Sequence, residues 1–335
     1  MMSAKSDSRK SSMPTILFIT KGEKASSTRY RVLDYIPYWS QAGWETDHVT
    51  HDGSISGWVR ILRRAYRADF VVILRRTFHF PFLNLLRVFS RQLIFDFDDA
   101  IFVRSSGEES LSKRARFGRT VRVCDQVWAG NCYLAENAAP FNKKILIIPT
   151  ALQAEKYAID PERPANHLDL VWIGSRSTRK HLLTLLPALE RAAQLIPELR
   201  LKIIADFSIV TTSLVTLPIP WTAAGEAFAL ASSHIGIAPL PDNLFTRGKC
   251  GLKILQYMAS GLPVIASPVG VNAELVQDDV TGYTAISDDQ WVAAIQRLAN
   301  DSELRRRMGE QGRHLCNKQY ALSKVFHLLI TSQDA

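Results

Sequence analysis

The residues best suited to chemistry lie between Pro239 and Gly282, in the stretch PLPDNLFTRGKCGLKILQYMASGLPVIASPVGVNAELVQDDVTG. Arg247, Gly248, Lys249 and Gly251 form a loop after an apolar run, and a helix opening near Leu252 carries Lys253 in its first turn. Lysine is unfavourable early in a helix, where the dipole is positive, so this clustering calls for an anionic ligand. Unpaired backbone N–H groups at the helix start, with the adjacent cations, suit a diphosphate. The plainer alternative is a strand–helix–strand unit with solvated lysines. The helix should end at Gly261, with Pro263 stopping it and VIAS following as a strand.

Other groups attract attention by charge. Asp96, Asp98 and Asp99 crowd one strand end in FDFDDAIF, and like charges so close raise at least one pKa unless a cation or donor network intervenes. In SSTRYR, Ser27 or Thr28 reads as a helix N-cap, whereas capping does not explain Arg29 and Arg31. Arg176, Arg179 and Lys180 follow another apolar run, and Glu274 follows the VGVN turn. Ordinary exposed positions near helix starts would account for any one of these four.

The net charge is +9, and all of the excess lies in residues 1–150; residues 151–335 balance. Residues 57–92 hold eight arginines, no lysine and one acid, Asp69, among Trp58, Tyr66, Phe78, Phe80, Phe82 and Phe89. Arg60, Arg63, Arg64 and Arg67 recur at helical spacing and predict one basic stripe. With its aromatic neighbours the stripe suits an anionic membrane surface, an anionic acceptor or nucleic acid; a solvated helix face is the bland reading.

These residues need elements to hold them. Short β-branched runs alternate with amphipathic stretches, the pattern of βα units around parallel sheets. The first half predicts strands at 15–20, 45–50, 69–74, 92–97, 126–129 and 144–148. After a polar, proline-containing connection, a second series falls at 169–174, 200–205, 234–238 and 263–267. The expected fold class is α/β, with two doubly wound lobes and a site in the cleft between them, since ligands bind beyond the carboxyl ends of such strands. The division is 1–13 as a flexible leader, 14–150 as the first lobe, 151–167 as linker and 168–320 as the second lobe. Residues 321–335 form a C-terminal helix that could pack back on the first lobe.

The stretch from Gln256 to Ser267 and the downstream VGVNAELVQDDVTGY resemble the donor-binding signature of the group 1, or family 4, glycosyltransferases. KGEKASSTRYRV, FDFDDAIF and WIGSRSTRKHLLTLLPAL fit in the order that family would have them, so the resemblance covers most of residues 14–320 and is stronger in the second half. It implies a GT-B fold of two Rossmann-like lobes and a retaining transfer from a nucleotide-sugar to a glycan, lipid-linked or polysaccharide-precursor acceptor. It makes Arg176, Lys180, Arg247, Gly248, Lys249, Lys253, Gln256 and Glu274 donor-binding residues, and Ser27, Thr28, Arg29 and Arg31 an acceptor-side loop. The family's two usual glutamates are Gly248 and Gln256 here, and its usual arginine is Ser175 with Arg176 beside it. These departures mark a divergent branch.

FDFDDAIF falls where the family often has a histidine. Asp98 and Asp99 become the catalytic candidates, touching the transferred sugar or taking a proton from the acceptor. Asp96-Phe97-Asp98 also has the form of a metal-holding DxD motif, and Asp96 could instead turn inward to cap a loop. A second lobe with its own cations makes a metal dispensable, so neither a divalent ion nor another cofactor is expected.

Several classes drop out. No run of about 18 apolar residues occurs to span a bilayer. The opening MMSAKSDSRKSSMP lacks the apolar core of a secretory signal, which predicts a cytoplasmic protein, peripheral at most on the inner face of the membrane, in cell-envelope or polysaccharide biosynthesis. Cys124, Cys132, Cys250 and Cys316 lack CxxC spacing. KGEKAS and IGSRST are not the GxGxxG of a dinucleotide-dependent oxidoreductase, and no motif marks a nucleic-acid binder. The rival reading is a non-catalytic GT-B scaffold that binds anionic membrane or polymer through its arginine-rich lobe.

Overall fold

The computed structural model describes residues 13–331; the expected leader, Met13 apart, and the last four residues lie outside them. The described residues form two compact units, one of residues 13–97, 112–129 and 135–146, the other of residues 98–111, 130–134 and 147–331.

The first unit is built on β1 (Thr15–Thr20), β2 (Glu45–Thr50), β3 (Phe70–Leu74), β4 (Gln92–Phe97), β5 (Gln126–Ala129) and β6 (Ile145–Ile147), in the order β2-β1-β3-β4-β5-β6. β1 to β5 pair in parallel. Almost every side chain of β1, β3 and β4 is buried, as expected of strands covered by helices on both faces. Phe95, Phe97 and Phe117 stack within the core, with ring centroids 5.1–6.1 Å apart.

The second unit carries β7 (Leu168–Ile173), β8 (Leu199–Ile204), β9 (Val215–Ile219), β10 (Ile235–Ala238), β11 (Val264–Ala266) and β12 (Gly282–Thr284), all parallel in the order β12-β11-β10-β7-β8-β9. β9 and β12 are not among the predicted strands. β9 is an edge strand interrupted by Pro218 and mostly in contact with solvent, so it shows neither a buried run nor clean alternation. β12 has only three residues.

The ten predicted strands match the observed ones to within a residue or two. The linker contains one turn of helix, Ala154–Tyr157. The C-terminal helix, Leu322–Thr331, belongs to the second unit, where Leu152 and Ala321 form an isolated bridge. A larger difference concerns 98–111 and 130–134. The sequence division puts these loops in the first lobe, but they pack with the second unit.

Candidate functional site

The carboxyl ends of β7, β8 and β9 lie level, because Gly174 N–H donates to Ile204 and Ala205 N–H to Ile219. After β7, Ser175 and Thr178 close a loop through paired hydrogen bonds at 3.1 Å. The short helix Arg179–Leu183 follows and brings Lys180 and His181 to this edge.

The loop after β10 is braced internally. Asn243 Oδ1 accepts from the N–H groups of Phe245 and Thr246 at 3.0 Å, and Arg247 grips Asp242 with two hydrogen bonds at 2.7 and 2.9 Å. Gly248 meets the first-half loops. A Cβ there would lie 2.7 Å from Ala100 Cβ and 2.9 Å from Ala100 N, so glycine at this position permits the close approach. Asn131 donates to the Lys249 carbonyl at 3.1 Å, and Cys250 Sγ–H to the Asp98 carbonyl at 3.4 Å. Gly251, at φ +70°, then turns the chain into the helix Leu252–Ala259.

This frame gathers the cations. Lys249 Nζ sits 3.1 Å from the buried carboxylate of Asp99 and 4.4 Å from the centre of the Phe245 ring. Lys253 Nζ lies 4.0 Å from the Trp172 ring centre. Burial, with the neighbouring Lys249 charge, pulls Lys253 down to about 7. Burial also lowers His181 to about 4, helped by Lys180, Lys253 and Lys249. His181 is therefore neutral at physiological pH, held so by burial and by the three lysine charges. Lys180 donates to the Ser105 carbonyl at 3.3 Å.

Other donor-side candidates are placed differently. Arg176 is 77% exposed and pairs with Asp206 at 3.0 Å, while Arg247 is committed to Asp242. Glu274 is exposed on the helix Val271–Leu275. Gln256 is buried and donates to Tyr157 Oη at 3.1 Å.

In the first unit, SSTRYR is itself the helix Ser26–Arg31, with Ala25 at the N-cap. Ser27 and Thr28 therefore lie inside the helix, not at its cap. Arg29 lies over the Tyr30 ring at 4.9 Å. Arg31 is buried against Asp96, forming a short ion pair through Nη2 and donating from Nε at 3.0 Å. Cations thus meet two of the three crowded acids, Arg31 at Asp96 and Lys249 at Asp99. Both oxygens of Asp96 serve Arg31, which argues against the DxD reading. Among the described residues no group of three or more His, Cys, Asp or Glu could hold a metal ion.

The arginine stripe lies on the helix Ile55–Arg67, capped by Ser54, and its four arginines line one shallow groove with Ile55, Ser56 and Val59. Arg60 pairs with Asp52 and Arg64 with Asp47. Sequence reasoning did not single out Trp172, His181, Asn131, Tyr157 or Glu226. Trp172 shows the one usable signal, its position two residues before the glycine that ends a strand.

The two sheets define a GT-B fold. Residues 230–315 match the family model described as glycosyl transferases group 1. A curated relative, N-acetyl-alpha-D-glucosaminyl L-malate synthase of Bacillus anthracis, is 41% identical over 78 residues, 22% of this chain; the match spans only 20% of that protein's length. Sucrose-phosphate synthase of Thermosynechococcus elongatus is similar in structure, with TM-score 0.74, 14% identity, and coverage of 95% of this chain and 98% of the other. Anabaena HepE, solved in complex with UDP, has TM-score 0.73 and 14% identity, with coverage of 96% and 100%. No described helix is long and apolar enough to cross a membrane.

Proposed function

We propose that this chain moves a sugar from a nucleoside diphosphate sugar to a hydroxyl of a glycan, lipid-linked or polysaccharide-precursor acceptor. The observation that carries this reading is the placement of Lys180 after β7, and of Lys249 and Lys253 after β10, at the carboxyl edge of the second sheet. As the bond between the anomeric carbon and the diphosphate breaks, negative charge grows on the leaving group, and the lysines stabilise it. The acceptor oxygen bonds to the anomeric carbon, and its proton passes to Asp98 or Asp99. Lysine charge takes the place of a divalent ion, making the transfer metal-independent, and the family resemblance carries retention of configuration. HepE binds UDP, so UDP is the first nucleotide to test.

The arginine stripe supports a peripheral place on the anionic inner face of the membrane, in keeping with cell-envelope or polysaccharide biosynthesis. Gly248 and Gln256, in place of the family's glutamates, favour a second reading in which the fold binds without turnover.

Thermal unfolding of the full chain with UDP tests the first reading. Saturation at 100 times Kd stabilises by about 2.7 kcal/mol, and Lys249→Ala with Lys253→Ala should abolish the rise in Tm. Release of UDP from a panel of UDP-sugars separates the enzyme from a scaffold. No Tm change with UDP or with other nucleoside diphosphates would remove the donor-site reading altogether.

A further inference from the structure

β1, β2 and β3 end level with one another, since Thr20 pairs with Thr50 and Ile19 with Ile73 in parallel register. Ligands of open parallel sheets bind beyond such carboxyl ends. The chain leaves β3 through Arg75 at φ +51°, a conformation that residues other than glycine rarely adopt. Arg75 N–H donates to the Asp96 carbonyl at 2.7 Å, which pins the turn against the end of β4. Backbone outliers of this kind gather at functional sites, and the residue that follows this one is Arg76.

Arg76 is half-buried. Its Nη1 lies 3.5 Å from the Thr20 carbonyl, long for a hydrogen bond. The guanidinium sits 5.6 Å from the centre of the Phe78 ring, and Phe78 packs edge-on against Trp58 and Phe82 at 5.6 and 5.1 Å. No carboxylate among the described residues pairs with Arg76. The acids that end or follow the neighbouring strands are committed elsewhere: Asp96 to Arg31, Asp52 to Ser54 and Arg60, Glu23 to His48. Burial pulls the guanidinium below the ordinary arginine range, and no acid offsets it. A charge withdrawn from water without a partner is a cost to the fold, and a bound anion would remove it.

We propose that Arg76 holds an anionic group, a phosphate or a carboxylate, carried by the acceptor. The inference rests on the proposed transfer and adds the chemical class of its acceptor. The planar fork of donors matches either group in two-pronged fashion. Seated on a packed aromatic ring, it has little freedom left to lose on binding.

The test uses three sugars that differ in charge at one carbon: glucose, glucuronate and glucose 6-phosphate. Each is titrated into the full chain by calorimetry, with UDP present to occupy the lysines of the second unit. Wild type should bind one of the charged sugars at least about tenfold more tightly than glucose, the scale of a hydrogen bond to a charged group. Whichever charged sugar binds more tightly identifies the group as carboxylate or phosphate. Arg76→Met, which keeps an apolar stem over Phe78, should erase the preference and leave the UDP-induced rise in Tm intact. Arg76→Gln, which keeps a donor for the Thr20 carbonyl but loses the charge, should do the same, so the result does not hang on the folding of one variant. Failure of both charged sugars to bind wild type more tightly than glucose, or a preference that survives in either variant, would overturn the anchor and leave the donor reading standing. Arg76-dependent binding of a charged sugar without any effect of UDP on the Tm would overturn the donor reading and leave the anchor.

Discussion

Lys253 is the residue on which the chemistry turns most sharply. Burial and the Lys249 charge bring its ammonium down to about 7, so folding disfavours the charged form. A lysine so lowered costs stability below its folded value, and the protein recovers that stability as pH rises from about 7 toward the ordinary lysine range. A diphosphate reverses the preference, because it stabilises the ammonium. UDP affinity should therefore fall as pH rises through 7, approaching the one-proton limit of about tenfold per pH unit. Lys253→Arg, which stays charged, should flatten that dependence, and Lys253→Met should raise the Tm of the empty protein while weakening UDP. Calorimetric titrations from pH 6.5 to 8.5 check the first two outcomes and a melting curve the third; parallel pH profiles for wild type and Lys253→Arg would sink the assignment.

At the scale of elements, the sequence and structure agree where one strand and its following loop carry the whole signal. The GKCGLK turn needs no distant partner to be recognised, because lysine against a helix dipole is visible locally. Asp96 is different. Its partner Arg31 is 65 positions away, and no local rule separates a buried ion pair from a metal ligand or a base. Gly248 is similar, since its reason lies in Ala100 and Leu134, which approach it from the chain's first half. This approach yields a prediction about the missing glutamate. Gly248→Glu would force a side chain into space already filled at 2.7 Å by Ala100, at an overpacking cost of about 1–3 kcal/mol. It should lower the Tm and, by displacing the loop from Asp99, remove stabilisation by UDP. Gly248→Ala should reproduce most of the Tm loss, since the first carbon makes the clash. A Gly248→Glu protein with unchanged Tm and unchanged UDP response would show that the loop yields freely.

For the whole molecule, the fold class was legible because two series of βα units leave a strong imprint on hydrophobicity. The interleaving of 98–111 and 130–134 into the second unit was not, because contact between segments far apart in sequence leaves no periodic mark. The charge distribution could be read without the fold. The first half carries the entire +9 excess, and the structure adds apolar surface to its stripe. Ile55 and Val59 share the groove with the arginines, while Tyr66 approaches Phe89 at 6.3 Å, on a neighbouring helix whose Val88 is also exposed. Basic residues near an anionic leaflet contribute about 1 kcal/mol each, and the exposed apolar groups add burial at the interface. The full chain should therefore sediment with vesicles containing phosphatidylglycerol and not with pure phosphatidylcholine, and lose that binding as salt screens the charges. Arg63→Glu with Arg67→Glu should cut binding by at least about tenfold, with UDP stabilisation intact because the second unit is unchanged. Val88→Asp should weaken binding without altering its salt dependence. Equal sedimentation of wild type and the double arginine variant would assign the stripe to solvent and leave the acceptor unlinked to any membrane.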